Sequence, residues 1–92
     1  MNTLEIDRDL LEPTRAHCTD TSLVVELADG ALLVTPLWWY PPLLAATPEQ
    51  RNRIELSPYG VHWPELDEDL SIEGMLKGLR YPNAQPPAVA AE

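Results

Sequence analysis

Leu23-Val24-Val25-Glu26-Leu27-Ala28-Asp29-Gly30-Ala31-Leu32-Leu33-Val34-Thr35 is the stretch on which the reading of the fold depends. Two aliphatic, β-branched runs flank Asp29-Gly30, a pair that accepts the positive backbone angles of a two-residue hairpin turn. With those two residues as the loop, Ala28 faces Ala31, Leu27 faces Leu32, Val25 faces Val34 and Leu23 faces Pro36. That register predicts one apolar face made of Leu23, Val25, Leu27, Leu32 and Val34, with Glu26 beside Leu33 on the other. Val24 also falls on the second face, so a neighbouring strand or helix is expected to cover part of it.

Outward from the hairpin, Arg15 to Thr19 predicts a preceding strand, joined through a turn near Asp20-Thr21 into an antiparallel meander. Pro36 ends the last strand because it lacks a ladder donor. Leu37-Trp38-Trp39-Tyr40-Pro41-Pro42 then interrupts backbone pairing and offers three adjacent aromatics, which suit a cover for one end of the sheet or a recognition platform. Thr47-Pro48-Glu49-Gln50 reads as a helix start, with Thr47 capping, Pro48 in the first turn and Gln50 returning a capping-box bond. Ile54 to His62 reads as an irregular strand with a bend at Tyr59-Gly60. Ser71 is the N-cap of a final short helix whose Ile72, Met75, Leu76 and Leu79 recur on one face, with Leu70 stapled to Met75. Gly74 and Gly78 weaken that helix, so packing against the sheet must hold it. The class is α+β: a small antiparallel sheet with a β-hairpin, an intervening short helical segment and a final short helix packed against the sheet.

A chain of 92 residues has room for one small domain. Its compact part is expected over residues 14–80. Residues 1–13 form an N-terminal arm with scattered apolar positions, and residues 81–92, with three prolines and few large apolar groups, form a flexible tail. Fifteen acidic against six basic residues give a net charge of −9, which disfavours nucleic acid and anionic membrane and favours a basic protein partner. Arg51 and Arg53 are a basic point too small to reverse that balance. The lone Cys18 has no internal disulfide partner, and no basic segment followed by an apolar run opens the chain. The longest nearly apolar run, Leu37 to Ala46, holds Pro41 and Pro42 and is half the roughly 20 residues of a membrane helix. No membrane span is expected, and a cytoplasmic location follows.

Glu65-Leu66-Asp67-Glu68-Asp69-Leu70-Ser71-Ile72-Glu73 places five carboxylates in nine positions without a basic residue. Such a run serves a helix entry, a docking surface for a basic protein, or a metal. It lacks the spacing and glycine of an EF-hand loop, and His62 with nearby carboxylates does not complete a zinc set. His17 and Cys18 are neighbours on a strand, so their side chains point to opposite faces. There is no nucleophile elbow, phosphate-binding glycine loop or dinucleotide fingerprint, and no zinc-finger or helix-turn-helix pattern. No catalytic, cofactor or metal-binding residue is therefore assigned. The interaction candidates are Trp38, Trp39, His62, Trp63, Asp67, Glu68 and Asp69.

Leu43 to Arg51 and Tyr59 to Leu76, above all the run Gly60-Val61-His62-Trp63-Pro64-Glu65-Leu66-Asp67-Glu68-Asp69, resemble the domain of unknown function 2442 family. With the Asp29-Gly30 hairpin, the likeness covers residues 13–79. The resemblance implies a compact α+β domain. Members look like standalone proteins or modules joined to a DNA-binding helix-turn-helix region, and some occur with a second small protein in a toxin-antitoxin-like arrangement. The tail here is too short for a DNA-binding domain, so direct transcriptional control is not expected.

The leading expectation is a soluble bacterial interaction or regulatory module that performs no chemical conversion. Its acidic segment, Glu65 to Glu73, contacts a basic protein. Trp38, Trp39 or Trp63 anchor the partner, and Asp67, Glu68 and Asp69 orient it. Exposed aromatics would also suit a homodimer. Two alternatives stand beside this reading: a small enzyme or metal-dependent site using His62 and nearby carboxylates, and a structural subunit of a larger complex.

Overall fold

Asp29 and Gly30 do reverse the chain, but within a loop of three residues. The Leu27 amide donates to the Ala31 carbonyl and the Gly30 amide to the Leu27 carbonyl, both at 2.9 Å. Gly30 takes the left-handed conformation at φ +93°. The Asp29 carboxylate accepts from the Ala31 amide at 2.8 Å, which favours the longer loop Ala28-Asp29-Gly30. In the computed structural model, which describes residues 8–87, this hairpin joins β2 (Ser22–Leu27) to β3 (Leu32–Pro36). Its pairs are Leu23 with Thr35, Val24 with Val34, Val25 with Leu33 and Glu26 with Leu32. This is one residue away from the two-residue register, and a slip of one turns every β3 side chain to the opposite face. Leu23, Val25 and Leu27 are buried as expected. Leu33 and Thr35 sit opposite them, whereas Leu32 and Val34, expected inside, are 62% and 55% exposed.

β1 (Pro13–Cys18) pairs antiparallel with the other side of β2, giving the order β1-β2-β3. The predicted meander is therefore present. His17 pairs with Val24 on the outer face and Cys18 with Leu23 on the inner one, as strand alternation requires.

Ile54 to His62 is not one irregular strand. It is a hairpin of β4 (Glu55–Ser57) and β5 (Gly60–Trp63), and the Ser57 hydroxyl holds its turn by accepting from the Gly60 and Tyr59 amides at 3.1 and 3.3 Å. The acidic run supplies β6 (Glu68–Ser71), which completes a second antiparallel sheet of order β4-β5-β6. The fold is α+β with two three-stranded antiparallel sheets, where the spacing suggests one. β1 lies beside β4 and β5, and this brings the sheets together.

Among the described residues there are three short α-helices, α1 (Pro41–Leu44), α2 (Pro48–Arg51) and α3 (Ile72–Leu76), and two 3-10 turns at Arg8–Leu11 and Leu37–Trp39. Thr47 forms the predicted capping box with Gln50, at 3.1 Å to its amide and 3.0 Å from its own amide to the Gln50 side chain. Ser71 caps α3 by accepting from the Gly74 amide at 2.8 Å. The helix stops at Gly78, φ +76°, where the Leu79 amide reaches Gly74 and the Gly78 amide reaches Met75. That stop comes after little more than one turn, so Ile72 and Met75 are buried while Leu76 and Leu79, assigned to the same face, are largely exposed.

One core results. Leu23, Val25 and Leu27 from the first sheet meet Val61 and Trp63 from the second, and Ile72 and Met75 of α3 meet Leu37, Tyr40 and Leu43 of the aromatic connector. Contacts with the core extend to residues on either side of 14–80. Leu11 packs against the core, and the Tyr81 amide donates to the Trp39 carbonyl at 3.1 Å. The rest of the N-terminal arm, residues 1–7, and the end of the tail, residues 88–92, lie outside the described residues. Among the described residues no helix is long and apolar enough to cross a membrane.

Candidate interaction surface

The seven interaction candidates divide between the inside and the outside of the second sheet. Trp63 pairs with Glu68 across β5 and β6, and alternation from Val61 and Leu70 sends both side chains to the core. Trp63 has no exposed surface and its indole donates to the Arg51 carbonyl at 2.8 Å. Glu68 is 6% exposed, and its two carboxylate oxygens accept from the Tyr81 hydroxyl at 2.5 and 2.7 Å. Trp63 is thus a core residue and Glu68 a buried acceptor, which corrects their assignment as partner anchor and steering charge. The inward alternation of Leu70, two positions on, is the sequence signal that identifies Glu68.

Tyr81 carries the other half of that contact. The hydrogen bond to Glu68, followed by burial and the Glu68 charge, pushes its phenol up from 10.0 to about 12. The neutral phenol is favoured in the folded chain, so its contribution to stability is complete below pH 10 and is lost as the pH rises toward 12. We expect the wild-type denaturation midpoint to fall across that window and Tyr81→Phe to show a shallower fall. Equal slopes in the two proteins would contradict the Tyr81–Glu68 linkage.

On the outer face, strand pairing sets Glu55, His62 and Asp69 in a row across β4, β5 and β6. His62 Nδ1 lies 2.8 Å from Asp69 Oδ1. Asp67 stands at the turn before β6, exposed and in the left-handed region at φ 51°, which aspartate adopts more readily than most residues. Glu65 pairs with Arg53. Asp67 and Asp69 therefore face outward while Glu68 between them faces in. Glu55 was not among the candidates, since only the β4–β5 register brings it beside His62.

The His62–Asp69 pair is close enough to share a hydrogen bond. Nearby hydroxyls are already used: Ser57 Oγ holds the β4–β5 turn and Ser71 Oγ caps α3. Among the described residues no group of three His, Cys, Asp or Glu side chains is arranged to hold a metal ion. Cys18 is on a different sheet, and burial, only partly opposed by Arg51, pushes its thiol up to about 11, which disfavours the thiolate near neutrality.

Trp38 and Trp39 follow β3 and meet edge to face, with ring centres 6.4 Å apart and planes at 83°. Both are half-buried, and Arg80 lies over them, 4.1 Å from the Trp39 ring centre and 5.3 Å from that of Trp38. The aromatic platform is thus already covered on one side by a cation of the same chain. Next to it Tyr40, Leu70, Leu79, Arg80, Tyr81 and Pro82 line a shallow, mostly apolar cavity of about 320 Å³.

Arg15, Lys77, Arg53 and Arg51 are also engaged internally. Arg15 approaches Glu26 at 3.8 Å, and Lys77 approaches Glu73 at 3.5 Å. Arg53 pairs with Glu65, and Arg51 closes α1 by donating to the Leu43 and Leu44 carbonyls at 2.7 and 3.0 Å. Glu55 and Asp67 have no partner among the described residues, and Asp69 meets only His62.

Together, fold and surface define a small α+β domain with one core shared by two sheets and an outward acidic row on the second. The chain belongs to the family described as "Protein of unknown function (DUF2442)", which matches residues 13–81. It is also similar to a protein of unknown function from Rhodospirillum rubrum ATCC 11170, known from a crystal structure, at 27% identity and a TM-score of 0.70. That likeness covers 79% of this chain and 93% of the other. No curated protein matches the chain.

Proposed function

We propose that this protein is an interaction module that presents the outer face of its second sheet to a basic protein. One observation carries the reading: five described cations are engaged within the chain, while Glu55, Asp67 and Asp69 project without a lysine or arginine partner. Such a face attracts a positively charged surface at long range and orients it before contact, an effect expressed mainly in the association rate. The same use of its cations, with a net charge of −9, leaves little to hold a phosphate backbone. Pairing with a small basic protein in a toxin-antitoxin-like arrangement is the form of this function that the family resemblance suggests.

The test starts with recovery of the partner from the native organism and reconstitution of the purified pair. Glu55→Gln, Asp67→Asn and Asp69→Asn are then combined in one variant, in which asparagine at 67 keeps a residue suited to left-handed backbone. We expect association to slow by roughly tenfold at low salt, and its dependence on salt to flatten. An association rate equally fast and equally salt-sensitive in the variant contradicts the proposal.

A further inference from the structure

β3 is an outer strand of the first sheet, and among the described residues no strand pairs with its far edge. The β2–β3 ladder is bracketed by two hydrogen bonds, Leu27 amide to Ala31 carbonyl and Leu37 amide to Thr21 carbonyl, both 2.9 Å. Antiparallel alternation between them turns the backbone groups of Leu33 and Thr35 toward β2 and those of Leu32 and Val34 away from it. Among the described residues nothing pairs with the Leu32 and Val34 groups. Their side chains are 62% and 55% exposed on the outer face, where Val34 adjoins Val24. An open edge beside an apolar strip is a template for another strand.

We propose that the strand it receives is β3 of a second copy, paired antiparallel about a two-fold axis at Leu33, so that the two first sheets join into one of six strands. Charge selects this occupant. From Gly30 to Pro48 there is no Asp, Glu, Lys, Arg or His, in a chain whose net charge of −9 makes two copies repel elsewhere. The strand itself offers a basic protein no carboxylate.

The backbone is also self-complementary. Leu32 falls opposite Val34 of the second copy, and each of the two symmetric pairs exchanges two amide–carbonyl bonds. Beyond them Pro36 would meet Gly30 of the second copy. Proline has no amide, and the Gly30 amide already donates to Leu27 at 2.9 Å, so the ladder ends there on both sides. So short a contact falls below the roughly 800 Å² per partner of a stable interface, and the dimer is therefore concentration-dependent.

Sedimentation equilibrium of the full chain from micromolar to millimolar concentration tests this, alongside amide exchange of the wild type over the same range. The apparent mass should rise toward twice the monomer, and the Leu32 and Val34 amides should exchange about tenfold more slowly at the highest concentration. Leu32→Lys puts a charge into the strip. Val34→Pro deletes an outward donor without removing a β2 bond. With the fold verified by circular dichroism, both should weaken dimerisation at least tenfold. The proposal is overturned if the wild type is monomeric throughout, or if Leu32 and Val34 exchange is independent of concentration. It is equally overturned if these amides become protected only when a different protein is added.

Discussion

Gly60→Ala will destabilise the protein by about 3 kcal/mol, the upper end of the range for overpacking, because the added methyl meets the backbone of the neighbouring strand. A Cβ at position 60 would lie 2.3 Å from the Leu70 carbonyl oxygen and 3.2 Å from Ser71 Cα. Neither atom yields as a side-chain tip does. Gly60 pairs with Ser71, and the Ile72 amide donates to the Tyr59 carbonyl at 2.9 Å, so relief requires β5 and β6 to separate. Urea titration of wild type and variant measures the loss. A change below about 0.5 kcal/mol, the ordinary effect of a surface substitution, would contradict this close approach of the strands.

Trp63→Ala should cost more, about 3 to 5 kcal/mol, by leaving a large cavity where the two sheets and the helices meet. The same change removes the indole donor of the Arg51 carbonyl, 2.8 Å away, and so releases the end of α2 from the second sheet. Against a stability of roughly 5 to 14 kcal/mol for a chain of this size, that loss is a large share of the whole. Trp63→Phe should lose less because it keeps much of the volume. If Trp63→Ala unfolds at the wild-type denaturant concentration, the indole is not the centre of the core.

These two positions show why parts of the molecule were legible in its sequence and others were not. Caps are local: Thr47 and Ser71 act on amides three residues away, so short motifs identify both helix starts. Alternation in Leu23, Val25 and Leu27 likewise marks the inner face of β2. The register of its partner strand differs by one residue from the two-residue loop because Asp-Gly suits both two- and three-residue loops, and the Asp29 bond to the Ala31 amide favours the longer one. The second sheet was hidden by the charge of β6, a strand whose inward Glu68 is intelligible only once Tyr81 arrives from thirteen residues away. Of the candidate surface, His62, Asp67 and Asp69 could be read from the chain. Glu55 and the Arg80 cover on Trp38 and Trp39 could not, since both depend on contacts between distant segments.

The functional account depends on one distinction, that Asp67 and Asp69 face a partner while Glu68 faces the core. With the reconstituted basic partner, the association rate of the Asp67→Asn, Asp69→Asn double variant should be compared with that of Glu68→Gln at low ionic strength. The account predicts slower association with near-wild-type stability in the first, and a wild-type rate with lowered stability in the second. Slower association in Glu68→Gln, with no change in the double variant, would contradict it.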